Sequence, residues 1–384
     1  MEITVIAESR KPIRVAQVLA GMAPGGIETW LVRVLRHIDR QRFQIDFITH
    51  PDGPCFYDEE VLLLGSRIIR CPSAKRAWAY GRALSRTFRR EGGYDVVHSH
   101  LHHYSGFVLR IAARAGVPVR IAHCHSDTSA AQAGAGFLRR LYLNRTKRWI
   151  DRYATLGLSV SPAAGAALFS TWNVDPRWRV LYCGIETDAF HATVDKQAFR
   201  RNLGLPPDAL VIGHVGTFRE PKNHVFLVEV AAAVMAREPR AHLLLVSDGP
   251  LRPAIESKVR QLGIADRTVF AGQVASTVSF LRGAMDVFVF PSLWEGLPLS
   301  VVEAQAAGLP CVISDVVTPD VIVAKAMVER LRLTAPVEQW AQAVLRLLTQ
   351  TPEAVCRAAL IEVESSRFNL QSCVRTLEEI YAQR

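Results

Sequence analysis

Long apolar runs are missing from this 384-residue sequence. The longest are strand-sized, such as Val211–Val215 and His242–Val246, far short of the ~20 residues a membrane-crossing helix requires. Cysteine is sparse. The seven present are an odd number with no CxxC pair, which argues against a disulfide scaffold and for a reducing compartment. The first ten residues, MEITVIAESR, lack a basic start followed by a long apolar run, so no secretory signal is expected and the cytoplasm is the default location. No short-period repeat, low-complexity tract or nucleic-acid-binding motif is visible. The GxGxxG fingerprint is absent too, which disfavours a nicotinamide-dependent dehydrogenase.

What is present is a hydrophobic content of 49% with 21% charged residues, the make-up of a globular protein too long for one ordinary core. Strand and helix signals alternate. Strands are expected at 13–19, Phe43–Thr49, Arg67–Ile69, Val96–His98, Val119–Ala122, 154–160 and 180–182, with helices between them. The pattern loosens over 186–209 and resumes at Leu210–Val215, 243–246, 269–270, Val287–Phe290 and 310–313. The reading is α/β: two Rossmann-like, doubly wound parallel sheets in series, 1–190 and 191–355, then a helical segment, 356–384, with Phe368 and Tyr381 as aromatic anchors. Such sheets bind ligands at the carboxyl ends of their strands, so the two are expected to face one cleft.

The segment Phe288–Asp315, FVFPSLWEGLPLSVVEAQAAGLPCVISD, reads as strand, glycine-bearing turn, helix from about Ser300 to Ala307, and strand. Glu295 lies at the mouth of that helix and Glu303 about a turn inside it. Free backbone N–H groups and the positive end of a helix dipole between two carboxylates suit an anion carried by a hydroxyl-rich group, as in a sugar nucleotide. Gly25-Gly26-Ile27-Glu28 opens another helix after a strand, where Gly25 and Gly26 would let backbone approach a diphosphate or a reacting sugar. In Gly216-Thr217-Phe218-Arg219-Glu220-Pro221-Lys222, Arg219 and Lys222 could neutralise a diphosphate leaving group. Ser247–Pro250 and Ala271-Gly272-Gln273-Val274 are post-strand turns that either line a base pocket or are plain turns. His98, His100, His102, His103, His123 and His125 offer several imidazoles, but no cysteine or carboxylate pattern completes a standard zinc set. At neighbouring strand ends, hydrogen bonding at the cleft edge is the better reading, with a purely structural role as the alternative.

Charge is uneven. The net +10 gathers in 75–90 and in FLRRLYLNRTKRWIDRY, 137–153, where Arg139, Arg140, Arg145, Lys147, Arg148 and Arg152 interleave with Phe137, Leu138, Leu141, Tyr142, Trp149 and Ile150. Such a helix either packs its apolar side on its own domain or lies peripherally on an anionic membrane. Nucleic acid is not an expected partner.

Taken together, the E-x7-E element Glu295–Glu303, RIAHCHSD (120–127), VLYCGIETDAF (180–190), HVGTFREPKNH (214–224) and LLLVSDGPL (243–251) resemble the retaining family 4 glycosyltransferases of the GT-B fold, closest in look to bacterial enzymes of exopolysaccharide or other cell-surface glycan synthesis. The resemblance covers nearly the whole chain. It implies transfer from a nucleotide-sugar, a UDP-sugar ahead of a GDP-sugar, to a glycan or lipid-linked acceptor, with no metal and no cofactor, at the inner face of the plasma membrane. It also implies that Glu303 binds ribose hydroxyls and Glu295 those of the transferred sugar. Backbone around Gly296, Leu297, Leu299 and Ser300 would hold the diphosphate, although Pro298 cannot donate. Thr217, Gln273 and Val274 would complete the donor site, with Lys222 on the diphosphate and His125 as the active-site histidine. Two positions depart from the family pattern: Thr217 stands where Arg is usual, with Arg219 as its replacement, and Cys183 stands where Asn is usual. They suggest an inactive partner subunit as one alternative; a nucleotide-sugar epimerase of the same two-domain build is another.

Overall fold

The computed structural model describes residues 11–50, 53–90, 93–129, 132, 134 and 136–383. The start on which the expectation of no secretory signal rests lies outside that set. The chain divides into two compact units, Met1–Leu181 with Val374–Arg384, and Tyr182–Cys373.

The first unit is built on seven strands: β1 (Ile13–Val18), β2 (Phe43–Thr49), β3 (Arg67–Arg70), β4 (Val96–Ser99), β5 (Val119–Cys124), β6 (Leu156–Ser159) and β7 (Trp178–Val180). They run parallel in the order β3-β2-β1-β4-β5-β6-β7. The β-branched runs of β1 and β4 are buried almost throughout, as strands covered on both faces must be. The helix Gly26–His37 covers one face with Trp30, Leu31, Val34 and Leu35, whose spacing follows the helical period.

The second unit repeats the plan with β8 (Leu210–Val215), β9 (Ala241–Val246), β10 (Thr268–Gly272), β11 (Val287–Phe290), β12 (Cys311–Ser314) and β13 (Val328–Leu331), ordered β10-β9-β8-β11-β12-β13. Successive residues of β11 feed opposite cores: Phe288 and Phe290 pack with Val211, Leu244 and Ile313, while Val287 and Val289 pack with Ile212, Leu243 and Val312. Two apolar faces explain why these strands read as unbroken hydrophobic runs. Among the expected elements, the short edge strand β13, Val-Glu-Arg-Leu, was not anticipated because two of its four residues are charged.

The boundaries differ from those drawn at 190 and 356. Residues 182–190 belong to the second unit: Ile185 and Phe190 are in its core, and Ile185 N–H donates to Phe368 O at 2.9 Å. The C-terminal segment is not one block either. Phe368 anchors in the second unit, whereas the helix Leu370–Ala382 carries its later residues, with buried Tyr381, back into the first.

Gln305, fully buried on the helix Leu299–Ala306, accepts from the backbone N–H groups of Val323 and Ala324 at 2.9 and 3.0 Å and donates to Val321 O at 2.8 Å. Gln305→Ala would leave those groups unpaired and cost about 2–3 kcal/mol, read as a lower denaturant midpoint at unchanged slope.

Candidate functional site

In both sheets the strand order reverses once, beside β1 and β4 in the first and beside β8 and β11 in the second. Loops leaving the carboxyl ends there diverge and open a crevice. Gly25 and Gly26 follow β1, His98 lies in β4 with His100 just after it, and His125 follows the adjacent β5. Thr217, Arg219 and Lys222 follow β8, while Glu295 to Glu303 follow β11. Gln273 and Val274 follow β10, farther out.

In the second unit the loops after β8 and β11 are stitched together. Lys222 Nζ meets Glu295 Oε1 at 2.6 Å, and Ser292 Oγ donates to the same oxygen at 2.8 Å. Asn223, in the left-handed region at φ 53°, donates from its side chain to Pro291 O at 3.1 Å, and Leu293 N–H donates to Pro221 O at 2.8 Å. The Lys222 ammonium also stands 4.8 Å over the Phe290 ring. Gly216 is needed by close approach, since a Cβ there would lie 2.8 Å from His214 Nε2 and 3.2 Å from Lys222 Cδ. Beneath this loop His214 and His224 are buried, a pair the sequence reading did not single out. Burial holds His214 well below its usual range, and burial with the Lys222 charge pushes His224 down to about 4. Neutral imidazoles leave Lys222 and Arg219 as the positive charges of the loop. Arg219 is exposed and, among the described residues, makes no ion pair.

The helix Leu299–Ala306 starts one residue earlier than expected, with Pro298 at its N-cap and no side chain capping it. Pro298 has no side-chain oxygen to offer the first-turn N–H groups, and Val301 N–H donates to Pro298 O at 3.1 Å. Glu303 on this helix is buried and accepts from Thr277 Oγ1 at 3.2 Å. Leu297, Leu299 and Val274 pack partly against the core, Ser300 is half-buried and Gln273 is exposed.

In the first unit the histidines are less a lining than an internal network. His98 and His123 are fully buried, His100 nearly so, and His125 half-buried. His98 Nδ1 lies 2.8 Å from the Tyr381 hydroxyl and its Nε2 3.1 Å from His123 Nδ1. His100 Nδ1 lies 2.8 Å from His125 Nε2 and its Nε2 2.8 Å from Gln17 Oε1. Gln17 Nε2 closes the set by donating to Tyr381 at 2.9 Å. Burial, reinforced by neighbouring imidazoles, holds all four histidines well below their usual range, so they are neutral at pH 7. Ring nitrogens of His98, His100 and His123 fall within 4.8 Å of one another, near enough for a metal set. Both nitrogens of His98 and of His100 nevertheless already hold hydrogen-bond partners. Tyr381 is expected as an aromatic anchor but not as a hydrogen-bond partner, and Gln17 is not singled out at all; the alternation Val-Ala-Gln-Val, with one polar residue in a buried strand, is the available signal for Gln17.

Gly25 and Gly26 differ in what they require. Neither has a positive φ; a Cβ on Gly25 would sit 2.5 Å from Glu28 Oε2, whereas nothing lies within 4 Å of one on Gly26. Glu28 thus folds back over Gly25, and burial raises its pKa to about 7 against a lowering contribution from its own backbone N–H.

Residues 24–189 match the sequence profile described as Glycosyltransferase Family 4, and residues 209–350 that described as Glycosyl transferases group 1. EpsF of Bacillus subtilis, described as a glycosyltransferase, is 38% identical over 340 residues, 87% of each chain. The Escherichia coli UDP-Gal:alpha-D-GlcNAc-diphosphoundecaprenol alpha-1,3-galactosyltransferase is 26% identical over 317 residues, 79% of this chain and 80% of the relative. Among solved structures, HepE of Anabaena in complex with UDP-glucose aligns with a TM-score of 0.78 at 17% identity, covering 97% of this chain and 100% of that one. WaaG, a glycosyltransferase involved in lipopolysaccharide biosynthesis, aligns with a TM-score of 0.74 at 18% identity, covering 96% and 100%. At such identities the structural likeness is one of fold.

The raised Glu28 pKa makes stability depend on pH. Between its ordinary value of 4.5 and about 7 the folded chain keeps a proton that the unfolded chain has lost. That contribution is complete below 4.5 and disappears as pH rises through about 7, at no more than about 1.4 kcal/mol per pH unit. Glu28→Gln, neutral throughout, should flatten the decline of Tm between about pH 5 and about pH 8.

Proposed function

The chain belongs to glycosyltransferase family 4 and has its GT-B fold, and we propose that it moves a sugar from a nucleotide-sugar, a UDP-sugar before a GDP-sugar, to a glycan or lipid-linked acceptor in cell-surface polysaccharide synthesis. On this reading transfer retains the anomeric configuration and needs neither metal nor cofactor. The observation that carries it is the Lys222–Glu295 pair beside an uncapped helix N-terminus at the β8/β11 switch point. The UDP-Gal donor and the polyprenyl-diphosphate acceptor in the name of the E. coli relative support the choice of donor and acceptor class.

The chemistry follows from charge. The bond from the anomeric carbon to the diphosphate oxygen breaks, and the nucleoside diphosphate leaves with the electron pair. An acceptor hydroxyl oxygen bonds to the anomeric carbon on the face just vacated and passes its proton to the departing diphosphate oxygen. In the free chain Lys222 is neutralised by Glu295, two largely buried groups 2.6 Å apart. Donor binding exchanges partners: Lys222 turns to the diphosphate, and Glu295 is released to accept from sugar hydroxyls. Lys222, Arg219 and the N–H groups around Gly296, Leu297, Leu299 and Ser300 stabilise the departing charge. Glu303 takes the ribose hydroxyls; Thr217, Gln273 and Val274 lie alongside the nucleotide. The open space at Gly26 leaves room for backbone approach to the donor, with Gly25 shaping the turn. His125 serves as a neutral hydrogen-bond partner, since a charged imidazole is disfavoured there.

Peripheral contact with an anionic membrane, at the inner face of the plasma membrane, completes the proposal. No helix among the described residues is long and apolar enough to cross a membrane. The helix Phe137–Tyr153 buries Leu143, Thr146 and Ile150 but leaves Phe137, Leu138, Leu141 and Tyr142 exposed next to Arg139 and Arg140. Its first turns thus present both an apolar and a basic surface. Lys147 is half-buried on the inner side and Arg145 lies 4.7 Å from the Trp149 ring, so these two serve packing.

Incubation with UDP- and GDP-sugars, with and without chelator, should give acceptor-dependent release of nucleotide that chelator leaves unchanged. Epimerised donor without release would point to an epimerase instead. Glu303→Ala should weaken donor binding about 10- to 100-fold, and Lys222→Met should lower kcat about 100-fold or more. Liposome flotation should recover the protein only with anionic lipid, and Phe137→Ser with Leu138→Ser should abolish recovery.

A further inference from the structure

Proton roles in the polar cluster of the first unit are interdependent. A neutral imidazole carries one N–H and one lone pair, so each ring nitrogen can play only one part. Gln17 sits where two chains of hydrogen bonds meet, its Nε2 donating to Tyr381 at 2.9 Å and its Oε1 facing His100 Nε2 at 2.8 Å. An amide oxygen only accepts, so His100 carries its proton on Nε2. His100 Nδ1 is then a bare lone pair, and the 2.8 Å bond to His125 must be donated by His125 Nε2. That leaves His125 Nδ1 as a lone pair, without a partner among the described residues.

The other arm runs the same way. The Tyr381 hydroxyl accepts from Gln17 and passes its own proton to His98 Nδ1 at 2.8 Å, and His98 Nε2 donates to His123 Nδ1 at 3.1 Å. All four imidazoles then bear their proton on Nε2. A half-turn of the Gln17 amide would reverse every role and move all four protons to Nδ1.

We propose that Gln17, anchored by the Tyr381 hydroxyl, is a positioning residue that fixes His125 as its Nε2–H tautomer, so that Nδ1 presents a lone pair to a hydroxyl of the sugar or the acceptor. The opposite tautomer would offer an N–H at the same place and would not draw on a hydroxyl proton. The inference rests on His125 lining the substrate site, as proposed above. The network itself is independent of that reading. Its members, half-buried His125 apart, are buried, bonds of 2.8–3.1 Å lock them, and Trp30 walls the network in, its ring centroid 5.5 Å from that of His123 and 6.0 Å from that of His125.

Long-range ¹H–¹⁵N correlation spectra of the full chain labelled at histidine report tautomers directly, and the signal lost in His125→Asn assigns the one in question. Wild type should show His125 protonated at Nε2. Gln17→Met, similar in volume, and Tyr381→Phe, which removes only the anchor, should both show His125 exchanging between tautomers. In both variants kcat should fall about tenfold, the worth of one neutral hydrogen bond, with donor KM within about twofold of wild type. His125 protonated at Nδ1 in wild type, or a fixed Nε2–H tautomer in both variants, overturns the proposal. So does a lower melting temperature as the only change. Because the spectra need no substrate, loss of the glycosyl-transfer reading would leave the tautomer result standing, and the reverse also holds.

Discussion

A reversal of strand order positions everything at the carboxyl ends of these sheets. Beside β1 and again beside β8, the chain changes the direction in which it adds strands. The loops leaving neighbouring parallel strands there turn to opposite faces. Parallel pairing also aims the loops of a sheet to one edge, so residues far apart in sequence converge. Lys222 and Glu295 are 73 positions apart and His100 and His125 are 25 apart, yet each pair is in hydrogen-bond contact. The glycines, the histidines and the E-x7-E element take their relevance from that arrangement.

At the two switch points the chain handles polarity differently. The second unit keeps a cation and an anion, whose removal from water is costly unless they stay paired. Pairing Lys222 with Glu295 meets that cost in the free chain while both remain available to an incoming phosphate and hydroxyl. The histidine cluster of the first unit carries no charge. Its histidines lie deep enough that protonation is disfavoured, and neutral donors and acceptors satisfy one another. One cluster thus keeps a paired cation and anion, and the other keeps neutral donors and acceptors.

Much of this was legible in the sequence because it depends on local pattern. Strands with both faces covered are largely apolar runs, so β8 and β11 fall at their expected residues, and β2 does so through the aromatic and β-branched Phe43, Ile45, Phe47 and Ile48. The helix carrying Glu303 is bounded by Pro298 and by Gly308 with Pro310, signals that act within a few residues. What depends on distant partners was not legible. Gln17 and Tyr381 are 364 positions apart, and neither stands in a motif. The histidines read as cleft-lining because alternation along a strand gives the face but not the depth. The basic helix 137–153 reads as either packing or membrane-facing, and the structure buries its Leu143, Thr146 and Ile150 while leaving Phe137, Leu138, Leu141 and Tyr142 exposed.

The bond from Tyr381 to Gln17 and His98 also has a bearing on folding. The first unit is discontinuous, with Tyr182–Cys373 inserted between its sheet and the helical turns that complete its polar core. Contacts spanning 283 and 364 positions close only after the intervening unit has been made and has drawn the chain ends together. Such non-local closure is slow relative to local helix formation. The strands β1–β7 are complete in sequence long before the helix that fills their polar core, since Tyr381 follows the whole of the second unit. In this chain, maturation of the first unit is tied to synthesis of the second.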